Sequence, residues 1–246
     1  MNPFRLILIT DDAGRSAGQM RAIVSEAIAG GVTAVQLREK RANARQVACL
    51  LRKLGPVCRE AGVPLLLNGS LVGRLVPPID ADGIHFGVGS IRAESGLAKQ
   101  HEGQYGIPLR LPPNFHFHRA AESVLGVAGQ DRPLLVGYSA HSIEEARTVL
   151  GRGADYVTLS PVFETPGKAG LLAPVGTGLF SVARALLPRA VLVGLGGIDE
   201  SNAGEVVRAG ADGVAVIRAI MSSTDPRASA RRLRAQIDAA LADRGE

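Results

Sequence analysis

The sequence predicts an α/β chain closed as a single (β/α)8 TIM barrel. Short apolar, β-branched runs alternate with stretches of helical period, each closed by Gly or Pro, and this is the pattern of parallel strands covered by helices. Eight such units fit within 246 residues, the size of one barrel. A similar turn also leads repeatedly into a strand: Gly30-Gly-Val-Thr-Ala34, Ala81-Asp-Gly-Ile-His85, Gly153-Ala-Asp-Tyr-Val157 and Gly210-Ala-Asp-Gly-Val214. A doubly wound open sheet is the rival architecture, and the repetition argues for equivalent units around a barrel instead.

In chain order, the strand runs are 5–10 (RLILIT), 34–37 (AVQL), 64–67 (PLLL), 83–86 (GIHF), 134–137 (LLVG), 156–159 (YVTL), 190–193 (AVLV) and 213–217 (GVAVI). Helical period follows over 17–29, 42–61, 71–76, 118–125, 143–152, 179–187, 201–209 and 227–242, the last closing the chain. No linker divides the series, so 1–246 reads as one domain with an inserted βα segment at about 90–132. That segment passes through Ile107-Pro-Leu-Arg-Leu-Pro-Pro-Asn-Phe-His-Phe-His118, longer than an ordinary connection. It follows the C-terminal end of a strand, the active-site end of a barrel, and is read either as a lid or as a surface excursion.

Composition removes several classes. Residues are 46% hydrophobic and 21% charged, enough for a full core, and the 30 glycines are spread along the chain. No apolar run approaches the ~20 residues that cross a bilayer, and 1–10 lacks the plan of a signal peptide, so a cytoplasmic protein without a membrane partner is expected. Cys49 and Cys58 lie nine positions apart on one predicted helix, which suits reduced core thiols rather than a redox or zinc pair. The formal charge is +5, but its one dense group, Arg227, Arg231, Arg232 and Arg234, falls on the last helix. With few aromatics and no recognition motif, a solvated face is the reading and no nucleic acid is expected. Homo-oligomerisation is left open.

The residues that follow each strand define the top of the barrel. Gln36, Arg38 and Lys40 alternate with Leu37 and Glu39, so an amide and two cations point one way, at something polar and anionic. Thr10, Asp11 and Asp12 follow the first strand, Asn68 the third and His85 the fourth; Ser139 and His141 follow the fifth, Ser160, Thr165 and Lys168 the sixth. The Gly194-Leu-Gly-Gly-Ile-Asp199 loop and the Ile217-Arg218-Ala219 turn follow strands seven and eight, where barrels often bind phosphate. Glycine lets the backbone approach a ligand, its amides point at phosphate oxygens, and helix starts add positive dipole. Gly196, Gly197, Ile198, Ile217 and Arg218 are the candidate grip; Arg218 contacts the phosphate or pairs on the surface.

His141 stands two residues after Ser139 and just before a helix, with Ser142 as a cap and Glu145 at the capping-box position. An imidazole there serves as a proton relay or as a satisfied helix-start residue. His85 reads as structural, His116 and His118 as loop residues. Lys168 swings over an anionic ligand or is an exposed loop lysine. No trio of His, Cys or carboxylate has metal-ligand spacing.

Taken in order, Ile7-Leu-Ile-Thr-Asp11, Val35-Gln-Leu-Arg-Glu-Lys40, Leu67-Asn68, Ala81-Asp-Gly-Ile-His85, Gly137-Tyr-Ser-Ala-His-Ser-Ile-Glu-Glu-Ala146, Ser160-Pro-Val-Phe-Glu-Thr165 with Lys168, and Gly194-Leu-Gly-Gly-Ile198 resemble the thiamine phosphate synthase and TenI superfamily across nearly the whole chain. The resemblance implies a (β/α)8 barrel. For the synthase it implies a pyrimidine diphosphate that ionises to a carbocation captured by a thiazole phosphate, with Mg²⁺ on the leaving diphosphate. Gln36, Arg38, Lys40, Asn68, Ser139 and Lys168 match its diphosphate and pyrimidine contacts, and the Gly196 to Ile198 and Ile217 to Arg218 loops match its thiazole phosphate grip.

The chain departs from the synthase pattern where metal carboxylates belong: it reads Asn68-Gly69 after strand three and His85-Phe-Gly-Val-Gly-Ser90 after strand four. Asp11 and Asp12 are the substitutes at hand. The TenI branch, as the resemblance implies, needs no metal and uses the histidine matched by His141 to aromatise a thiazole carboxylate phosphate. Gln36 is the more synthase-like feature. On the missing carboxylates the sequence favours a TenI-type thiazole tautomerase with a small-molecule thiazole phosphate as partner and no cofactor. In that reading Lys40 and Lys168 hold the carboxylate. The alternatives are thiamine phosphate synthase with Mg²⁺ and a non-catalytic thiazole or thiamin phosphate sensor.

Overall fold

The computed structural model describes residues 3–11, 13–87, 111–112, 114–127, 133–165 and 173–245. Strands β1 (Leu6–Ile9), β2 (Ala34–Leu37), β3 (Leu65–Asn68), β4 (Gly83–Phe86), β5 (Leu135–Ala140), β6 (Tyr156–Leu159), β7 (Val191–Leu195) and β8 (Gly213–Val216) pair in parallel in chain order, and β8 closes on β1. Around them run helices α1 (Ala17–Ala29), α2 (Ala44–Glu60), α3 (Phe117–Leu125), α4 (Ile143–Leu150), α5 (Gly178–Leu186), α6 (Ala203–Arg208), the short α7 (Arg218–Met221) and α8 (Pro226–Asp243). The chain is a single (β/α)8 barrel. No described helix is long and apolar enough to cross a membrane.

The period-two alternation of each strand divides the core in two. Ile7, Ile9, Ala34, Leu66, Tyr156, Val193 and Ala215 fill the barrel interior together with Phe4. Leu6, Leu8, Val35 and Leu37 point the other way and join the larger layer between sheet and helices. Both faces of every strand are thus buried, which is why the strands read as near-continuous apolar runs.

The repeated turn phrase has one mechanical job. Thr33, Asp82, Asp155 and Asp212 each stand one residue before an even-numbered strand, and their side chains accept the N–H of Leu6, Leu65, Val136 and Leu192 at 2.9, 2.8, 2.7 and 2.7 Å. Their own N–H groups donate to the carbonyls of those same residues. Each clamp ties an even strand to the odd strand before it, so the recurring unit is a pair of βα steps rather than one. All four clamps lie at the N-terminal end of the sheet, leaving the C-terminal end for the site.

Some boundaries differ from the sequence reading. Residues 71–76 do not form a helix: a single 3-10 turn, Gly69–Leu71, is followed by Gly73 at φ 76° and by Pro77-Pro78, which cannot continue one. Strand β5 runs on to Ala140 and so contains Ser139. His118 is in α3 rather than a loop, its Nε2 3.2 Å from Asp155 Oδ1, and His116 is the N-cap residue of that helix. Phe117 packs edge-on against Phe86 and Tyr138, fastening α3 to β4 and β5. The rest of the 90–132 insert, residues 90–110, 113 and 128–132, lies outside the described residues, and with it the choice between lid and excursion. Cys49 and Cys58 are free thiols; Cys58 is buried, and burial pushes it up to about 12.

Candidate active site

A cavity of about 1180 Å³ opens at the C-terminal end of the strands. Its wall includes Gln36, Arg38, Lys40, Asn68, Ser139, His141, Thr165, Gly196, Gly197, Ile198, Ile217 and Arg218, brought together from six strands' ends and the turns beyond them. Strand β2 ends at Leu37, yet the alternation persists past it: Arg38 faces the cavity and Glu39 is buried behind it. The turn is stitched to β1, since Arg38 N–H donates to Thr10 Oγ1 at 2.9 Å and Thr10 N–H to the Gln36 carbonyl at 3.0 Å. Arg74 donates to the Lys40 carbonyl at 2.7 Å. Asp12 and Lys168 lie outside the described residues.

The glycine loop after β7 is oriented by its carbonyls. Those of Leu195 and Gly196 accept the N–H groups of Val162 and Phe163 at 2.9 and 3.0 Å, and that of Gly197 accepts Asn202 Nδ2 at 3.0 Å. In a planar trans peptide the N–H points opposite to the carbonyl before it. The amides of Gly196, Gly197 and Ile198 are therefore turned away from these partners, toward the cavity that the three residues line, as a concave set of donors suited to an anion. Gly196 and Gly197 hold φ of 106° and 67°, and a Cβ at Gly197 would lie 2.7 Å from Phe163 Cβ and 2.8 Å from the Glu164 carbonyl oxygen. Neither position accepts a side chain without strain. Helix α6 begins only at Ala203, so the donors available here are the loop amides and not a helix start.

His141 is held at both ends. Its N–H donates to Glu145 Oε2 at 2.8 Å and its Nδ1 lies 2.7 Å from the Ser160 carbonyl oxygen. Ser142 caps α4 by accepting the Glu145 N–H, but the Glu145 carboxylate reaches His141 and the Tyr138 hydroxyl rather than closing the box on Ser142.

Deeper in the barrel, Asn68 Nδ2 donates to Gln36 Oε1 at 2.8 Å. Gln36 Nε2 and Ser160 Oγ are buried without a hydrogen-bond partner on residues 2% and 1% exposed, and both residues line the cavity. Native interiors rarely leave such atoms unpaired except where a ligand or solvent completes them. Beneath Gln36, His85 Nδ1 lies 2.9 Å from the Tyr156 hydroxyl. His85 also lines the cavity floor. The sequence reading passed over Tyr156; its signal was a large phenol at an inward-facing strand position.

The described donor set does not suit a divalent cation. Among the described residues no group of three His, Cys, Asp or Glu side chains comes together. Gly69 and Gly87 occupy the cavity wall at the tips of β3 and β4, and the Asp11 carboxylate is taken by Arg15, which also donates to the Met221 carbonyl at 2.7 Å.

The profile of the thiamine monophosphate synthase family matches residues 6–104 and 126–220. The chain belongs to this family. A thiamine-phosphate synthase of Chloroflexus aurantiacus is 37% identical over 237 residues, 95% of this chain and 93% of the relative. That of Syntrophomonas wolfei is 38% identical over 235 residues, 94% of this chain and 95% of its own length. The solved thiamine phosphate pyrophosphorylase of Pyrococcus furiosus superposes with a TM-score of 0.71 at 26% identity, covering 98% of both chains. Within the family, these relatives favour the synthase, which the sequence reading held as its alternative, over the tautomerase it preferred.

Proposed function

We propose that this protein is a thiamine phosphate synthase, an enzyme of thiamine biosynthesis that joins hydroxymethylpyrimidine diphosphate to thiazole phosphate and releases diphosphate. The observation that carries this reading is one cavity lined both by the glycine loop of Gly196, Gly197 and Ile198 and by the cations Arg38 and Lys40, which supports two separate anion sites. A tautomerase has one phosphate to hold; a coupling enzyme has a phosphate and a diphosphate. The names of the full-length relatives support the same choice.

In this reading the bond from the pyrimidine methylene carbon to the diphosphate oxygen breaks, and its electron pair leaves with the diphosphate. The thiazole nitrogen then gives its lone pair to that carbon. Arg38 and Lys40 stabilise the charge that grows on the departing oxygens. Gly196, Gly197 and Ile198 hold the thiazole phosphate, with Ile217 and Arg218 beside them, so that its nitrogen faces the carbon. Gln36, Asn68 and Ser139 form the polar floor under the pyrimidine, with Thr165 on the cavity wall. No step is assigned to a metal, because the described donors do not fit one.

The test is turnover by the purified protein. With hydroxymethylpyrimidine diphosphate and thiazole phosphate supplied together, mass spectrometry should find thiamine phosphate and released diphosphate. Failure to form it, with conversion of a thiazole carboxylate phosphate tautomer instead, contradicts the synthase reading; ligand binding with neither reaction points to a sensor.

A further inference from the structure

The polar atoms beneath the cavity form an ordered series. Ser70 N–H donates to Asn68 Oδ1 at 3.0 Å, which fixes the Asn68 amide with its NH2 toward Gln36. That NH2 donates to Gln36 Oε1, so the Gln36 NH2 is directed elsewhere. It faces the Tyr156 hydroxyl closely enough to oppose the rise that burial imposes on that phenol, though outside hydrogen-bond geometry. That NH2 makes no hydrogen bond to Tyr156; a phenol O–H is the stronger donor and a neutral imidazole nitrogen the stronger acceptor, so the Tyr156 proton goes to His85 Nδ1 at 2.9 Å. Burial pulls His85 down to about 3, so the ring is neutral and its one proton sits on Nε2.

We propose that Tyr156 is a positioning residue: it sets the tautomer of His85, so that the floor shows the pyrimidine two N–H donors, His85 Nε2 and the Gln36 Nε2 that Asn68 orients. The assignment to a pyrimidine rests on the synthase reading; the tautomer does not. The surroundings hold the phenol in place. Tyr156 stacks on Phe4 with ring centroids 4.1 Å apart. Gly137 makes the room: a Cβ there would lie 2.2 Å from Tyr156 Cζ and 2.5 Å from His85 Nδ1. His141 is oriented the opposite way, since a carbonyl at Nδ1 requires the proton on that nitrogen. The two imidazoles on the cavity wall thus turn unlike Nε2 atoms, one a donor and one an acceptor.

Long-range ¹H–¹⁵N NMR of the five histidines tests this in the intact protein. The His85 signal, assigned by its loss in His85→Gln, should be neutral with the proton on Nε2; a proton on Nδ1 overturns the relay, whatever the protein catalyses. Tyr156→Phe keeps the stacked ring and deletes the hydroxyl. It should move the His85 proton toward Nδ1 and raise KM for the pyrimidine diphosphate about tenfold, while KM for thiazole phosphate stays within twofold. Equal changes in both KM values, or none, refute the positioning role. Should wild type make no thiamine phosphate, the function proposed above fails, and the NMR result still decides the relay.

Discussion

The Nδ1 of His141 lies 2.7 Å from the carbonyl oxygen of Ser160. A carbonyl accepts only, so the imidazole keeps a proton on Nδ1, and Nε2 is its basic atom, in a residue that lines the cavity. That geometry suits proton transfer, yet the coupling of a carbocation with a thiazole nitrogen moves no proton.

This contrast gives a prediction for His141→Ala. A synthase should keep its turnover within about tenfold of wild type, since only packing and polarity at the wall change. A tautomerase relying on the imidazole should lose about 10²- to 10⁴-fold, the usual worth of a general acid–base. Measuring both reactions on the one variant separates the two readings.

The glycine loop predicts a selective loss. Gly197→Ala places a Cβ against Phe163 and the Glu164 carbonyl at a φ of 67°. Turning the loop to relieve that contact moves the amides, and KM for thiazole phosphate should rise about tenfold or more, equivalent to roughly 1.4 kcal/mol. An unchanged KM in steady-state kinetics removes the amides from the phosphate grip.

The clamps predict stability effects far from the cavity. Asp82→Ala strips the acceptor from the N–H of Leu65, a residue 1% exposed, and should cost about 1–3 kcal/mol of unfolding free energy. Asp82→Asn retains an acceptor oxygen and should cost less. Urea denaturation of both variants checks the order; equal losses argue against the clamp.

His85 predicts acid sensitivity with a definite sign. In the unfolded chain an imidazole titrates near 6.5, whereas burial holds His85 at about 3 in the fold. Between those values the unfolded chain binds the extra proton, so stability is full above about pH 6.5 and falls as pH drops. The loss amounts to about 2 kcal/mol at pH 5 by linkage. Urea unfolding of wild type and His85→Gln at pH 7.5 and pH 5 should show this loss in wild type only, as the difference between their pH dependences. A parallel fall in both contradicts a buried neutral imidazole.

Much of the barrel could be read from the sequence because strands buried on both faces leave apolar runs that few other structures produce. The glycine loop was legible too, since paired glycines after a seventh strand have a physical reason to be there. Residues 71–76 read as a helix because Leu71, Val72, Leu75 and Val76 mimic helical spacing, and only Gly73 and Pro77-Pro78 speak against it. The pairing logic of Thr33, Asp82, Asp155 and Asp212 was hidden in a phrase that looked like one unit repeated, because each bond crosses to a strand 17 to 27 residues earlier. The Tyr156 and His85 contact spans 71 residues and depends on the space left by Gly137, which no local pattern encodes. The weight given to missing carboxylates set the tautomerase first, whereas full-length relatives at 37% and 38% identity point to the synthase.

The most direct measurement is a crystal structure with thiazole phosphate and inorganic diphosphate bound together. The account predicts phosphate oxygens within about 3 Å of the amides of Gly196, Gly197 and Ile198, and the diphosphate against Arg38 and Lys40 in the same cavity. A phosphate held elsewhere, or a cavity that admits only one of the two anions, contradicts it.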